Sequence, residues 1–288
     1  YGATVGGLDI VKFGKRAKIM TEQHNYTECI DRYINNQSST QVESAAGRVM
    51  GALRYRLIGT GINEANSFAA FYAQHSVAEI KLALDDLFKH TCRRWYDNRQ
   101  QPRRQRNLVE LYGEGLHINW DEVWAGAALT RLPLNEPAIQ FPGVAGELPN
   151  PRRWLEEVNY VVSLPVWLAL THGDLNEHNV RVTEDGRCWL IDFYRAGLGH
   201  ILRDVVEMET AIKFSLTSLA TNGQRAEFEQ LLLAQTSLDK AVAFDAGAPY
   251  AKAAAVIFYL RLLAAEILGL NRDGAEYNVA LLLQTLNL

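Results

Sequence analysis

Residues 171–197, THGDLNEHNVRVTEDGRCWLIDFYRAG, combine the apolar pattern of a buried β-hairpin with an unusual density of polar side chains. The central Asp-Gly pair is a strong turn signal, and the runs NVRV and RCWLIDF on either side are rich in strand-forming residues. His172, Asp174, Asn179 and Asp192 lie in or beside these runs. An unpaired carboxylate in an apolar strand is costly, so the pattern predicts that these polar groups have functional partners.

The hairpin should bring the side-chain oxygens of Asp174, Asn179 and Asp192 together. Mg²⁺ prefers oxygen ligands and usually keeps waters and substrate phosphates. Asn179 and Asp192 can hold such an ion while Asp174 accepts a proton from a hydroxyl. A His-x-Asp, an Asn five residues after that Asp, and an Asp after a hairpin form the catalytic pattern of protein-kinase-like phosphotransferases. A structural alternative, a polar turn capped by Asp174 and Asn179 with Asp192 in an ion pair, leaves this spacing unexplained.

The segments HGDLNEHNV and LIDF resemble the aminoglycoside phosphotransferase and choline kinase families, in which Gly separates the His from the Asp. The resemblance follows the order of elements over most of the chain, and its specific motifs lie in residues 8–34 and 171–204. It implies an α+β, bilobal, protein-kinase-like fold. We expect a small strand-rich N-lobe at residues 1–64 and a large helical C-lobe at 65–288, with the catalytic loop at 171–197.

Apolar spacing gives a coarse map of the elements. It predicts a strand over residues 8–14, a helix over 21–34 with Thr21 as its cap, and one or two strands over 48–61. From about Ser67 the pattern becomes helical, and nearly all of the chain after the hairpin is predicted to be helical as well. The predicted layout is a small strand-rich N-terminal part and a large helical C-terminal part, with the polar hairpin between them.

The resemblance also implies roles outside the hairpin. In these families a strand lysine contacts the nucleotide phosphates and pairs with a glutamate on the next helix. By this resemblance Lys12 steadies the α- and β-phosphates, with Glu22 as its partner and Glu28 as the alternative. Asp204 matches the families' second aspartate, which supports the catalytic loop, although an ordinary carboxylate at a helix start explains it nearly as well. His172 is expected to hold the loop.

Several departures from the family pattern narrow the function. A glycine-rich hairpin should precede the lysine strand, but only YGATVGG precedes LDIVKFG, so either the phosphate cover is abbreviated or a first strand lies outside this sequence. Phe193 and Tyr194 follow Asp192, without the glycine of protein kinases, and eleven residues separate Asp192 from Asp204. Asn176 replaces the usual His or Lys. These features favour a small-molecule kinase over a Ser/Thr protein kinase.

The resemblance therefore implies transfer of the γ-phosphoryl group of ATP or GTP, with Mg²⁺, to a hydroxyl of a small molecule. Sugars, amino alcohols and protein side chains all remain open as acceptors; aminoglycosides would need an acidic cleft. The rival hypothesis is a catalytically silent kinase-like module that binds nucleotide as a scaffold or sensor. Residues 197–214 are also similar, more weakly, to kinase-like domains of bacterial conflict-system operons.

Composition limits the setting and the partners. The chain has 288 residues, with 48% hydrophobic and 22% charged, as in ordinary globular proteins. A net charge of −4 argues against nucleic acid as the main partner. The arginine-rich run at 93–107 is interpreted as a solvated helix end and loop; single-stranded nucleic acid, an acidic partner and a phosphorylated substrate are the alternatives. The apolar window from Ala251 contains Lys252, Arg261 and Glu266, which predicts a buried helix rather than a membrane span. Three cysteines without paired spacing predict a reducing compartment, the cytoplasm.

Overall fold

The chain folds into a small sheet with one helix, and a larger, mainly helical part that contains a short β-hairpin. The computed structural model describes residues 5–30, 39–60, 65–100, 107–129, 133–157, 166–240, 242–269 and 274–287. This architecture confirms the predicted α+β class, with a small strand-rich N-terminal part and a larger helical part. The predicted boundary at residue 64 lies outside the described residues.

The N-terminal sheet is antiparallel, with its strands in the order β1-β3-β2. Its strands are β1 (Val5–Lys15), β2 (Ser39–Ala46) and β3 (Met50–Thr60). The helix α1 (Arg16–Asn25) follows β1 directly and continues as a π-helical turn, Tyr26–Ile30. Leu53, Tyr55 and Leu57 alternate onto the buried face of β3, as the period of a half-buried strand requires. The sheet therefore presents one apolar face, against which α1 packs.

Two N-terminal elements differ from the sequence predictions. The helix α1 begins at Arg16, and Thr21 is not its cap, because the Thr21 hydroxyl donates to the Ala17 carbonyl (3.0 Å) inside the helix. The prediction for 31–34 lies outside the described residues. The sequence analysis missed β2, whose small and polar residues give a weak strand pattern; pairing along β3 decides its conformation. Residues 50–60 form one strand rather than two.

The larger part is mostly helical. Its helices are α2 (Phe68–Gln74), α3 (Val77–Asp85), α4 (Arg93–Asp97), α5 (Leu108–Leu116), α6 (Trp120–Leu129), α7 (Pro151–Glu157), α8 (Arg203–Phe214), α9 (Asn222–Leu233), α10 (Ala251–Leu268) and α11 (Gly274–Thr285). Its short strands are β4 (Asn66–Ser67), β5 (Ala138–Ile139), β6 (Leu148–Pro149), β7 (Leu168–Thr171), β8 (Val180–Val182), β9 (Cys188–Leu190) and β10 (Gly197–His200). Local sequence sets several helix starts: Ser76 and Glu79 form a capping box before α3.

The helix α10 is buried, as the apolar window predicts. Along it, Ala254, Ile257, Leu260 and Ala264 are completely inaccessible to solvent. No helix in the described ranges has both the length and the apolar composition that a membrane span requires.

The arginine-rich run begins on α4, at the surface of the helical part. Arg93 pairs with Asp97 (2.8 Å) one turn later on the exposed face of that helix. Arg99 lies over the ring of Trp167, with its guanidinium carbon 4.9 Å from the ring centroid. Arg94 is exposed on the same helix, but the arginines in 101–106 lie outside the described residues, so the interpretation as a solvated helix end stays a prediction.

A buried ion pair joins α8 to α10. Arg261 donates to both carboxylate oxygens of Glu209, at 3.0 and 2.7 Å, and the Tyr277 hydroxyl donates to the same carboxylate (2.5 Å). Burial alone would raise the pKa of Glu209, but the charge and hydrogen bonds of Arg261 outweigh burial and hold that pKa below its usual range. The pair therefore anchors α8, which carries Asp204 in its first turn.

We expect Arg261→Met to lower the free energy of unfolding by about 3–5 kcal/mol, because it leaves a buried carboxylate without its counter-charge. Asp97→Asn removes the partner of Arg93 from a pair whose side chains are 45% and 53% exposed, and should cost less than about 1 kcal/mol. Chemical denaturation measures both. Equal losses in the two variants would contradict an anchoring role for the buried pair.

Candidate active site

The predicted hairpin is present and positions the polar residues of the candidate site. β8 and β9 pair antiparallel with Val180 opposite Leu190, and Gly186 takes the left-handed conformation (φ 82°) in the turn between them. The loop from β7 to β8 carries His172, Asp174 and Asn179, and Asp192 follows β9. Because the two strands pair, the loop before β8 and the segment after β9 lie side by side. The carbonyl of Asn179 accepts the backbone N–H of Ile191 (3.1 Å).

Asp174 and Asn179 are in direct contact. The Asn179 amide Nδ2 donates to the backbone carbonyl of Asp174 (2.8 Å) and to its carboxylate Oδ2 (3.3 Å). Asn179 is buried, whereas the side chain of Asp174 is 29% exposed. The carboxylate is therefore oriented by the loop and still accessible to a small molecule.

Lys12 joins the N-terminal sheet to the hairpin. Its Nζ lies 2.8 Å from Glu22 on α1 and 2.8 Å from Asp192 after β9. Burial by itself would lower the pKa of Lys12, but the hydrogen bonds and charges of Asp192 and Glu22 outweigh it and raise that pKa above its ordinary value. Glu22 is 1% exposed, whereas the alternative partner Glu28 lies at an exposed position. The structure thus brings together three of the four residues that the resemblance relates to nucleotide phosphates and metal.

Asp192 has an uncommon backbone conformation. Its φ of 68° is left-handed, which is rare outside glycine. Such conformations persist where the surroundings hold them, and they concentrate at functional sites. Here Asn25 of α1 donates to the carbonyls of Tyr194 (2.7 Å) and Phe193 (3.3 Å), and the rings of Tyr26 and Phe193 are 5.4 Å apart. The sequence analysis missed Asn25; its position three residues after Glu22, on the same helix face, was the available signal.

Asp204 holds the catalytic loop through the backbone. Its two carboxylate oxygens accept the N–H groups of His172 and Gly173, each at 2.9 Å, and the Tyr96 hydroxyl donates to it at 3.2 Å. Asp204 is fully buried, so it is more than an ordinary helix-start carboxylate. His172 donates from Nε2 to the Ile191 carbonyl (2.9 Å), which links the loop to the strand before Asp192.

Gly173 is required by a close approach of the chain. Its φ is 75°, and a Cβ there would lie 2.3 Å from the Arg195 carbonyl oxygen. That contact directs Arg195 towards the catalytic loop, where Nη1 lies 3.9 Å from Asp174 Oδ1. The sequence analysis missed Arg195, because nothing in the local pattern shows that the chain turns back against Gly173.

Glu207 is a second carboxyl near Asp174 that the sequence analysis missed. It is half-buried on α8, and its Oε2 accepts a hydrogen bond from Gln284 (2.7 Å). Desolvation, with the charge of Asp174 adding to it, raises the pKa of Glu207 to about 8. Glu207 follows Asp204 by three residues, so both side chains lie on one side of α8. This spacing was the only sign in the sequence that Glu207 lies near the site.

The donor set suits Mg²⁺ better than a metal that prefers histidine or thiolate. Among the described residues, no cluster of three or more His, Cys, Asp or Glu side chains could hold a metal alone. Asn179 donates through Nδ2, which leaves its amide oxygen available, and Asp192 uses one carboxylate oxygen for Lys12. Mg²⁺ typically binds one or two protein oxygens together with phosphates and water, so these residues fit a metal that arrives with a nucleotide.

Comparisons with known proteins give a family match and several structural neighbours. The model of the family described as ternary complex associated domain 9 matches residues 121–287. A crystal structure of choline kinase LicA from Streptococcus pneumoniae is similar at 17% identity and a TM-score of 0.38, over 96% of this chain and 85% of that chain. The search of curated proteins gave no match. The family match includes the catalytic loop, Asp192 and Asp204.

We expect Asp192→Asn to weaken Mg²⁺-dependent ATP binding and leave the fold intact, because the side chain is 32% exposed and loses only its charge. Thermal-shift titrations with ATP, with and without Mg²⁺, measure the metal-dependent part of binding. Asp97→Asn, on the exposed face of α4, is the matched control and should titrate like the unmodified protein. An unchanged Mg²⁺-dependent shift in Asp192→Asn would refute the metal assignment.

Between about pH 5.5 and pH 9, we expect the free energy of unfolding to fall less in Glu207→Gln than in the unmodified protein. The pKa of Glu207 in the folded protein, about 8, lies above the ordinary glutamate value. Between these two values the unfolded chain loses the proton while the folded protein keeps it, so the free energy of unfolding falls as the pH rises to about 8. The amide does not ionise and lacks this loss. Chemical denaturation at both pH values measures it, with the exposed Glu227→Gln as the control. The same pH dependence in all three proteins would show that Glu207 ionises normally.

Proposed function

The chain belongs to the ternary complex associated domain 9 family, and we propose that it is a phosphotransferase that moves the γ-phosphoryl group of ATP or GTP to a hydroxyl of a small molecule. The observation that carries the proposal is the position of Lys12, within 2.8 Å of both Glu22 and Asp192. Three elements distant in sequence meet at this one ammonium group. The Asp174–Asn179 loop lies beside the same hairpin, so acceptor and phosphate groups can be held together.

In this proposal Asp174 orients the acceptor hydroxyl and takes its proton. Its carboxylate is partly accessible, and Asn179 donates to both its backbone and its side chain. Phosphoryl transfer depends mainly on positioning and on charge stabilisation. The loop therefore needs a defined geometry more than a shifted pKa, and Asp204 and His172 support that geometry through backbone contacts.

The nucleotide side of the proposal uses the remaining charged groups. Lys12 would contact the α- and β-phosphates, with Glu22 holding it in place. Asn179 and Asp192 would hold Mg²⁺, which when bound neutralises phosphate charge. Arg195, 3.9 Å from Asp174, adds a cation on the acceptor side of the site.

A short connection after the metal aspartate favours a small acceptor over a protein. Between Asp192 and α8 the chain forms one 3₁₀ turn, Phe193–Arg195, and then β10. This segment pairs with β7 and offers no long surface for an extended peptide. The aminoglycoside phosphotransferases and choline kinases that the sequence resembles act on small molecules. The three cysteines, all in the described part of the chain, form no disulfide, which supports a reducing, cytoplasmic setting.

The description of the family favours a second candidate. Association with a ternary complex is the task of a scaffold, and a kinase-like module that binds nucleotide without transferring phosphate would serve it. In a scaffold, ATP with Mg²⁺ raises the melting temperature but no acceptor is consumed. A thermal-shift titration followed by nucleotide-hydrolysis and transfer assays on an acceptor library separates the two candidates.

We expect Asp174→Ala to abolish transfer while ATP affinity stays within a few-fold, because Asp174 touches the acceptor rather than the nucleotide. General-base assistance contributes about 10²–10⁴-fold, so the loss should be plain in a transfer assay. Asn179→Ala should lower both Mg²⁺-dependent binding and rate. Asp97→Ala, on exposed α4, is the control. Full activity of Asp174→Ala on an identified acceptor would make the mechanism untenable, and binding without transfer in the unmodified protein would favour the scaffold.

A further inference from the structure

A cavity of about 230 Å³ lies beside the catalytic loop, among residues with no role in the proposed transfer. Its walls come from α5, from β10 and from the first residue of α8. Leu111, Leu116 and Leu198 give it an apolar side. Small-molecule sites typically combine such apolar walls with a few placed polar groups, so the buried polar group of this cavity that keeps an open donor decides which ligand it suits.

That polar group is Arg203. Its side chain lines the cavity and is 93% buried, since only 7% is exposed. The guanidinium bonds only through Nη2, to the carbonyls of Gly115 (3.1 Å) and Gly173 (2.7 Å). Within the described part of the chain, Arg203 has no ion pair. A buried cation that meets only carbonyl groups is unfavourable, and an anion would supply the missing charge.

One nitrogen of Arg203 is left open by two glycines. Nη1 makes no hydrogen bond to any described residue. A Cβ on Gly115 would lie 3.2 Å from Nη1, and one on Gly199 would lie 3.7 Å from it. Both glycines line the cavity. Side chains at these positions would cover Nη1, so the two glycines keep a charged donor accessible from the cavity.

Among the described residues, none of the neighbouring carboxyls forms an ion pair with Arg203, and the buried carboxyl Glu276 lies 2.9 Å from His200 instead. Both oxygens of Asp204 accept backbone N–H groups of the catalytic loop. Burial raises the pKa of Glu207 to about 8, so this group is mostly neutral at neutral pH. Glu114 also lines the cavity but stands at an exposed position at its mouth, where water screens its charge.

We propose that this cavity binds a small organic anion, a carboxylate or phosphate ester whose charged group lies on Arg203 Nη1 and whose apolar part lies on the leucine side. The same guanidinium holds the carbonyl of Gly173, the residue before Asp174. A bound anion therefore contacts the residue that supports the catalytic loop. The inference concerns binding only and does not depend on the proposed phosphotransferase activity.

Isothermal titration calorimetry at constant ionic strength tests the proposal with phenyl phosphate and benzoate as anionic probes and benzyl alcohol as the neutral one. We expect at least one anion to bind, and the alcohol not to bind. Gly115→Ala should weaken anion binding about tenfold or more, the worth of one charge-assisted hydrogen bond. Alanine suits a helix interior, so α5 should remain folded. Gly113→Ala is the matched control on the same helix, because its Cβ would meet only Trp120, at 3.8 Å.

A second pair of variants tests the site without touching α5. Leu198→Glu places a carboxylate at the cavity mouth, where the leucine is 57% exposed, and should weaken anion binding. Leu233→Glu, at a 63% exposed leucine elsewhere, should leave it unchanged. The proposal is overturned if neither anion binds the unmodified protein, or if Gly115→Ala and Leu198→Glu both bind as the unmodified protein does. Because the readout is binding, this outcome is independent of any transfer assay.

Discussion

The carboxylate of Asp204 is the interaction on which the candidate site depends. It accepts two backbone N–H groups from the residues directly before Asp174, and it is fully buried, where charge-assisted hydrogen bonds are strong. Asp204 is itself held because α8 is joined to α10 through Glu209 and Arg261. A loop that would otherwise be free to move is thus tied to the most buried helices of the protein.

A second network ties the N-terminal sheet to the hairpin. Lys12 bridges Glu22 and Asp192, and one turn further along α1 Asn25 holds the two carbonyls that follow Asp192. The left-handed conformation of Asp192 is maintained by contacts from a helix that lies far away in sequence. The two parts of the site are therefore assembled by the fold itself, without a long regulatory segment. Both of the proposed functions, phosphotransferase and nucleotide-binding scaffold, would need such an assembled site.

In the proposed phosphotransferase, the acceptor side of the site would have a mixed charge. Arg195 lies near Asp174, Glu207 is mostly neutral at neutral pH, and Arg203 is a buried cation beside an open cavity. A polycationic acceptor would find little negative charge beyond Asp174 itself. The same Gly173 that brings Arg195 to the loop also contacts Arg203, so one glycine sets the position of both arginines. This arrangement favours acceptors or effectors that are neutral or anionic.

The sequence alone determined the features that depend on local spacing. The period of the strands, the Asp-Gly turn and the offsets among His172, Asp174 and Asn179 predicted the hairpin, its polar residues and the α+β fold. Only the tertiary structure decided which residues meet across long separations: β2 pairs with β3 despite its polar sequence, and the buried Arg203 donates to the carbonyls of Gly115 and Gly173. Periodicity reports which face of an element is apolar, whereas a long-range contact depends on how whole elements pack, which no local pattern contains.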